Sequence, residues 1–194
     1  MRKALGATAI LAAIVLGSYA YGQRISRLNS WELDFTCRTP RVVEVFVETD
    51  MQVYTYVIYE VTNSSDSEID FYPTFEIETE KGKPVRARSY PTVYAKIMKP
   101  LSIEALAQGK MTGIIKPGEK KTGIAIFKGV DPAADTLTVF VAGLTGDFKT
   151  QVSEDGTIKA LYRTYKLIYK RPGDRFDASL DPITLEDSDW IWRG

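Results

Sequence analysis

The sequence predicts an all-β chain, a single antiparallel β-sandwich that is immunoglobulin-like in the broad sense. Three observations carry that prediction. First, Ile69 to Glu78 places Ile69, Phe71, Phe75 and Ile77 on one face and Asp70, Tyr72, Thr74, Glu76 and Glu78 on the other. A period of two with one apolar side suits a half-buried sheet. Second, Gly, Pro and Asp corners punctuate the chain, as at Lys116-Pro117-Gly118-Glu119 and Asp131-Pro132-Ala133-Ala134-Asp135. Third, seven to eight β-rich runs recur at roughly ten- to fifteen-residue spacing with little helix between them, the pattern of a sandwich.

The elements follow in order. Arg41 to Glu48 alternates Val43, Val45 and Val47 against Glu44 and Glu48, and a turn at Thr49-Asp50 leads into Met51 to Thr62. The runs Tyr54 to Asn63 and Ile69 to Glu78, split by Ser64-Ser65-Asp66-Ser67, read as a hairpin. Pro73 cannot donate to a ladder, so its strand is expected at a sheet edge or bulged. Gly82 is expected to supply a positive φ to a tight turn, from which Val85 to Arg88 returns. A short helical excursion is expected around 91–108, with Pro91 to Met98 at near-helical spacing and Ile103 to Gln108 as a second turn or short helix. Strands resume at Met111 to Ile115, Thr122 to Phe127 and Thr136 to Ala142. Gly146 to Gly156 is loop-like, and Leu161 to Lys170 carries apolar residues on both faces, as a central strand would.

The N-terminus predicts export. Arg2-Lys3 precede an uncharged apolar stretch and the small-x-small sites Ser18-Tyr19-Ala20 and Ala20-Tyr21-Gly22. This is the layout of a signal peptide; uncleaved, residues 4–20 would act as a membrane anchor at the lower length limit for a span. The expected organisation is residues 1–20 as signal peptide or anchor, 21–40 as an N-terminal segment, and 41–194 as the sandwich. The chain has 25 basic and 25 acidic residues; without Arg2 and Lys3 it would have 23 against 25, a net charge of −2. No basic excess points to nucleic acid.

Most catalytic kits are excluded by composition. With no histidine and one cysteine, Cys37, the chain holds no Ser-His-Asp or Cys-His arrangement, no His-ligated metal centre and no Cys-x-x-Cys pair. Cys37 reads as a small buried hydrophobe. Ser-x-x-Lys, Gly-x-Ser-x-Gly, Gly-x-Gly-x-x-Gly and Walker-type loops do not occur. Carboxylates remain, but Glu76, Glu78 and Glu80 read as a solvated face. Asp174, Asp177 and Asp181 fit no EF-hand spacing and read as turn caps. Asn63-Ser64-Ser65 is formally a glycosylation sequon, relevant only in a eukaryotic secretory pathway. No catalytic, cofactor or metal residue is therefore assigned.

Aromatics supply the candidate interaction surface. Tyr54 and Tyr56 share a strand face and would stack sugars or meet a partner if exposed; packed inside, they are core. Trp190 and Trp192 lie on one side of an extended segment and are expected to staple the C-terminus to the sandwich.

Several ordered phrases carry a resemblance. They are Pro40-Arg41-Val42-Val43, Tyr56-x-x-Tyr59-x-Val61-Thr62-Asn63, Phe71-x-Pro73-x-Phe75-Glu76 and Gly118-Glu119 followed by Thr122 to Phe127. With them go Asp131-Pro132-x-Ala134-Asp135, Gly143-Leu144-Thr145, Tyr169-x-x-Pro172-Gly173-Asp174 and Trp190-x-x-Arg193. Over about residues 40 to 193 the set resembles an uncharacterised family of exported proteins of planctomycete-like bacteria. The resemblance implies a periplasmic or envelope location and transfers no site. The resulting expectation is a non-catalytic binding or structural module of the bacterial cell envelope, with an envelope protein or polysaccharide as partner. It meets no nucleic acid, and the membrane only through the N-terminal segment. A second reading is a carbohydrate-active accessory protein or hydrolase using an acidic pair, and a third is strand donation or acceptance at the Pro73 edge.

Overall fold

A computed structural model describes residues 30–152, 156–171 and 183–194. The signal or anchor segment 1–20, its cleavage sites, and Asp174, Asp177 and Asp181 lie outside the described residues. Among the described residues the fold is an all-β sandwich of antiparallel sheets with two short helices.

The first sheet is built on one long strand. β3 (Asp50–Thr62) pairs along one edge with β2 (Arg41–Val47) and β1 (Asp34–Cys37), and along the other with β8 (Lys120–Lys128). Thus β1 falls within the stretch expected as an N-terminal segment, and the folded unit begins before residue 41. The β2–β3 connection is the two-residue turn Glu48-Thr49, with Glu48 at φ 57° where glycine would be unstrained.

The second sheet runs β12 (Thr184–Arg193), β11 (Ile158–Lys170), β9 (Thr136–Ala142), β5 (Thr74–Thr79), β6 (Val85–Arg86). β10 (Phe148–Val152) pairs with the N-terminal half of β11 on the same edge that takes β9 further along. Between β9 and β10 the chain turns at Gly143, φ 88°, where a Cβ would lie 2.5 Å from the Tyr72 carbonyl oxygen. Only glycine meets both conditions. As expected, β11 is central.

The expected hairpin of Tyr54–Asn63 with Ile69–Glu78 does not form. After β3 the chain crosses to a two-stranded sheet, β4 (Ile69–Phe71) with β7 (Gly113–Ile115), and then breaks at Tyr72-Pro73 before β5 enters the second sheet. The two runs therefore face each other across the core, with the Tyr59 and Phe75 rings 4.4 Å apart. Pro73 breaks the strand as its missing N–H demands, yet β5 lies between β9 and β6 and is no edge. Gly82 does not adopt positive φ; residues 80–84 form a wider loop. The Pro117-Gly118 turn holds as expected, with Gly118 at φ 73°.

Two cores share β3. Val57, Tyr59 and Val61 point between the sheets toward Phe75, Ile77, Val139, Val141, Leu167 and Tyr169. Tyr54, Tyr56 and Ile58 point the other way, beneath α1 (Pro91–Met98), which buries Val93 and Ile97 against them. The expected helix at 91–98 forms, but as a lid on the outer face of the first sheet. The second helix, α2 (Gln108–Met111), begins later than expected, because Leu106 exchanges backbone hydrogen bonds with Thr122 and Ile124 of β8. Among the described residues no helix is long and apolar enough to cross a membrane.

Candidate functional site

The sequence-derived aromatic surface divides in two. Tyr54 and Tyr56 do share a face, but they are 3% and 8% exposed, so they are core and offer no surface. Tyr90 packs edge-on against Tyr54 at 5.2 Å, and the Tyr54 hydroxyl donates to Gln52 Oε1 at 2.8 Å. The tyrosines thus fill the space beneath α1, a layer contributed by residues some 35 positions further along the chain.

Trp190 and Trp192 do lie on one side of β12. Trp190 is half-buried against Tyr165, ring centroids 5.0 Å apart, with the Arg163 guanidinium 4.5 Å from its centroid. Glu32 and Asp147 hold that guanidinium at 3.0 and 3.2 Å. Trp192 is exposed, with Lys149 Nζ 4.8 Å from its ring. Trp190 continues a train of rings through Tyr165, Phe35, Tyr59 and Phe75, which fastens the C-terminal strand to the core.

Cys37 packs against the same core. Burial pushes its thiol up to about 11, with the Tyr169 hydroxyl drawing it partly back, so at neutral pH it is a thiol and a poor nucleophile. Burial also raises Tyr59 and Tyr169, and the neighbouring Cys37 adds to both shifts. The wholly buried Tyr169 hydroxyl finds no nitrogen or oxygen partner.

The Asn63 sequon is closed by its own hydrogen bonds. Asn63 is fully buried at the end of β3; its Nδ2 donates to the Ser67 and Ile115 carbonyls at 2.8 and 2.9 Å. Its Oδ1 accepts from the Ser65 amide and hydroxyl at 3.0 and 2.7 Å. With both amide hydrogens engaged in the interior, this nitrogen is a structural hub and no glycan acceptor.

The feature with functional geometry is a groove of about 490 Å³ on the outer face of the second sheet. Alternation along paired strands sets its lining: Thr74 and Glu76 from β5, Arg86 from β6, Phe140 and Ala142 from β9, Tyr162 and Thr164 from β11, then Arg193 and Gly194. Glu76 is the one side-chain carboxylate in this lining. Its Oε1 accepts from Arg86 Nε and Nη2 at 3.2 and 2.9 Å, and its Oε2 from Arg193 Nη1 at 2.5 Å. The Arg193 guanidinium also lies 4.0 Å from the Phe140 centroid. Stacking of Arg193 on Phe140 and the two donors of Arg86 on one Glu76 oxygen hold flat, donor-rich surfaces open to the groove. Tyr162, 55% exposed, continues the surface toward Phe148, and Val152 and Ile158 extend the same face along the β10–β11 hairpin.

An acidic pair across a cleft is not found in this groove, since both guanidinium groups converge on a single carboxylate. No group of three or more Cys, Asp or Glu side chains could hold a metal among the described residues. Sequence reasoning placed Glu76 on a solvated face and passed over Arg86, Phe140, Tyr162, Thr164 and Arg193. One signal was available: outward positions of β9 run Thr136, Thr138, Phe140, Ala142, so a phenylalanine interrupts a polar row. Comparisons with protein-family models, with curated proteins and with solved structures find no match to the chain.

Proposed function

We infer that this protein is a non-catalytic, exported β-sandwich, immunoglobulin-like in the broad sense, acting as a binding module of the bacterial cell envelope. The groove on the second sheet is its ligand platform. The carrying observation is the convergence of Arg86, Glu76, Arg193, Phe140 and Tyr162 on one open hollow. Exposed aromatic area beside oriented polar groups is how a surface gains both contact area and orientation. Export rests on the Arg2-Lys3 and apolar pattern of the first 20 residues, and kinship with the exported family rests on the ordered phrases between residues 40 and 193.

The test uses the chain from Tyr21 to Gly194 as immobilised bait for envelope extract, beside an Arg86→Gln/Tyr162→Ala form with the same melting temperature. The expected result is a protein or polymer retained by the first and lost by the second. Equal retention, or none by either, refutes the reading.

A further inference from the structure

We propose that the groove takes a linear acidic polysaccharide, with a uronate carboxylate on the Arg86–Arg193 pair and a neighbouring sugar ring against Tyr162. The proposal deepens the binding reading above and rests on it. Three features of the groove carry it.

The first is charge. The side chains of the lining supply two guanidinium groups and one carboxylate, and Glu76 is shared between both guanidiniums. The Arg86 side chain is 66% exposed and keeps free donors beyond those it gives to Glu76. A guanidinium matches a carboxylate through two parallel N–H donors, so the exposed Arg86 fork favours a planar acid over a neutral hydroxyl array.

The second is the floor. β5 is paired with β9 and β6, β9 with β5 and β11, and β11 with β12 on one edge and β9 and β10 on the other. The backbone groups under the groove are used in these ladders. The floor itself thus offers no ladder to an extended peptide recognised by strand addition, the free side of β12 lying only at the rim. Recognition falls to side chains: rings for the apolar faces of sugars, and Arg, Thr74 and Thr164 for hydroxyls and acids.

The third is extent. From Phe140 the exposed surface runs on through Tyr162 and Phe148 to the paired Val152 and Ile158. Lys166 also sits on this face, between Phe140 and Asp189 in the ladder. An elongated, unwalled track suits a polymer running across the sheet better than an enclosed small molecule.

Glu76 then acts as an internal stand-in for the ligand acid. It keeps both guanidinium groups pointed into the hollow, and it competes with the incoming carboxylate for them. The charge argument therefore demands changes of opposite sign. Arg86→Gln weakens binding of the acidic polymer by about tenfold, as loss of a hydrogen bond to a charged group does. Glu76→Gln keeps an amide oxygen for the guanidiniums, removes the competing charge, and tightens binding several-fold. A residue with a merely structural role would not move affinity upward.

The experiment is calorimetric titration of residues 21–194 with polygalacturonate, alginate and hyaluronate, alongside fully methyl-esterified polygalacturonate and poly-glutamate. Melting temperatures of all variants are recorded. The expected result is binding of at least one uronate polymer, about tenfold or more weaker for a neutral ester of the same backbone, weaker with Arg86→Gln and Tyr162→Ala, and tighter with Glu76→Gln. Equal affinity for the esterified polymer, equal or tighter binding of poly-glutamate, looser binding by Glu76→Gln, or no uronate binding would each overturn the proposal. Retention of a neutral envelope glycan or protein dependent on Tyr162 would end this inference while leaving the binding module standing. Loss of all groove-dependent retention would end both.

Discussion

Replacing Asn63 by Asp tests whether one amide truly joins the first sheet to the two-stranded β4–β7 sheet. The Asn63 side chain makes four hydrogen bonds, two as donor to carbonyls and two as acceptor from Ser65. Its backbone N–H donates to the Glu119 carbonyl at 3.0 Å, and its carbonyl accepts from Gly118 at 2.7 Å, tying the end of β3 to the Pro117-Gly118 turn. Asn63→Ala strands the buried Ile115 carbonyl and loosens Ser65 and Ser67, which are closer to water. One buried unsatisfied group costs about 1–3 kcal/mol and each exposed-side bond about 0.5–1 kcal/mol, so a loss of roughly 2–4 kcal/mol is expected. Asn63→Asp keeps the acceptor and loses both donors, turning an ionised oxygen toward two carbonyls.

That carboxyl favours its neutral form in the fold, so its folded pKa rises above the unfolded value of about 3.9. The folded state then binds more protons than the unfolded one between the two values. Stability therefore falls as pH rises through that window, by up to about 1.4 kcal/mol per unit. Urea denaturation of wild type, Asn63→Ala and Asn63→Asp at pH 4 to 7 reads this directly. The Asp form should track the Ala form near pH 4 and drop well below it by pH 7. A difference between the two variants that stays flat across this range refutes the reasoning, as does an Ala variant losing under about 1 kcal/mol.

Tyr169→Phe removes a wholly buried hydroxyl whose neighbour is the weakly accepting Cys37 thiol and which has no nitrogen or oxygen partner, so Tm should hold or rise by up to about 2–4 °C in calorimetry; a fall in Tm would show that the thiol contact outweighs the cost of burying the hydroxyl. A chain ending at Asp189 loses the Trp190–Tyr165 contact and the Arg193–Glu76 pair, for an expected cost of about 2–4 kcal/mol; an unchanged melting temperature would remove the idea that these residues staple the strand. Burial works to raise Glu80, but the N–H groups of Asp135 and Thr136 and its own, with Lys81, hold it below 4.5. Its contribution is complete above about 4.5 and fades as pH falls through the lower folded value, so Glu80→Gln should flatten acid destabilisation below pH 4.5. An unaltered acid limb would refute that.

The alternation of β5, the central character of β11, the Pro117-Gly118 turn and the helix from Pro91 were all legible in the chain, because each depends on neighbours within a few residues. Pairing was not. β3 is apolar on both faces, and its ladder with β8 brings Tyr56 beside Ile126, a non-local choice that periodicity does not encode. The parity of Tyr54 and Tyr56 was readable, but whether their face met water depended on where α1 docked. The groove was the least accessible. Arg193 and Glu76 stand 117 residues apart, and each alone reads as an ordinary surface charge. The two tryptophans of β12 suggested an anchor, while its terminal arginine gave no sign of reaching across the sheet.

β12 has a further consequence through its outer side. Among the described residues no strand pairs with that side, leaving a ten-residue strand with free backbone groups, the kind of template on which another copy of the chain can grow. Glu186, Asp187 and Asp189 occupy three of four consecutive positions there, all exposed. At neutral pH, two such borders brought together would repel. Replacing these carboxylates by their amides, Glu186→Gln, Asp187→Asn and Asp189→Asn, removes that repulsion, and the concentrated protein should then self-associate reversibly, a change that light scattering would register. The strand that closes the groove is thus also the one that carries acidic charge along an unpaired border.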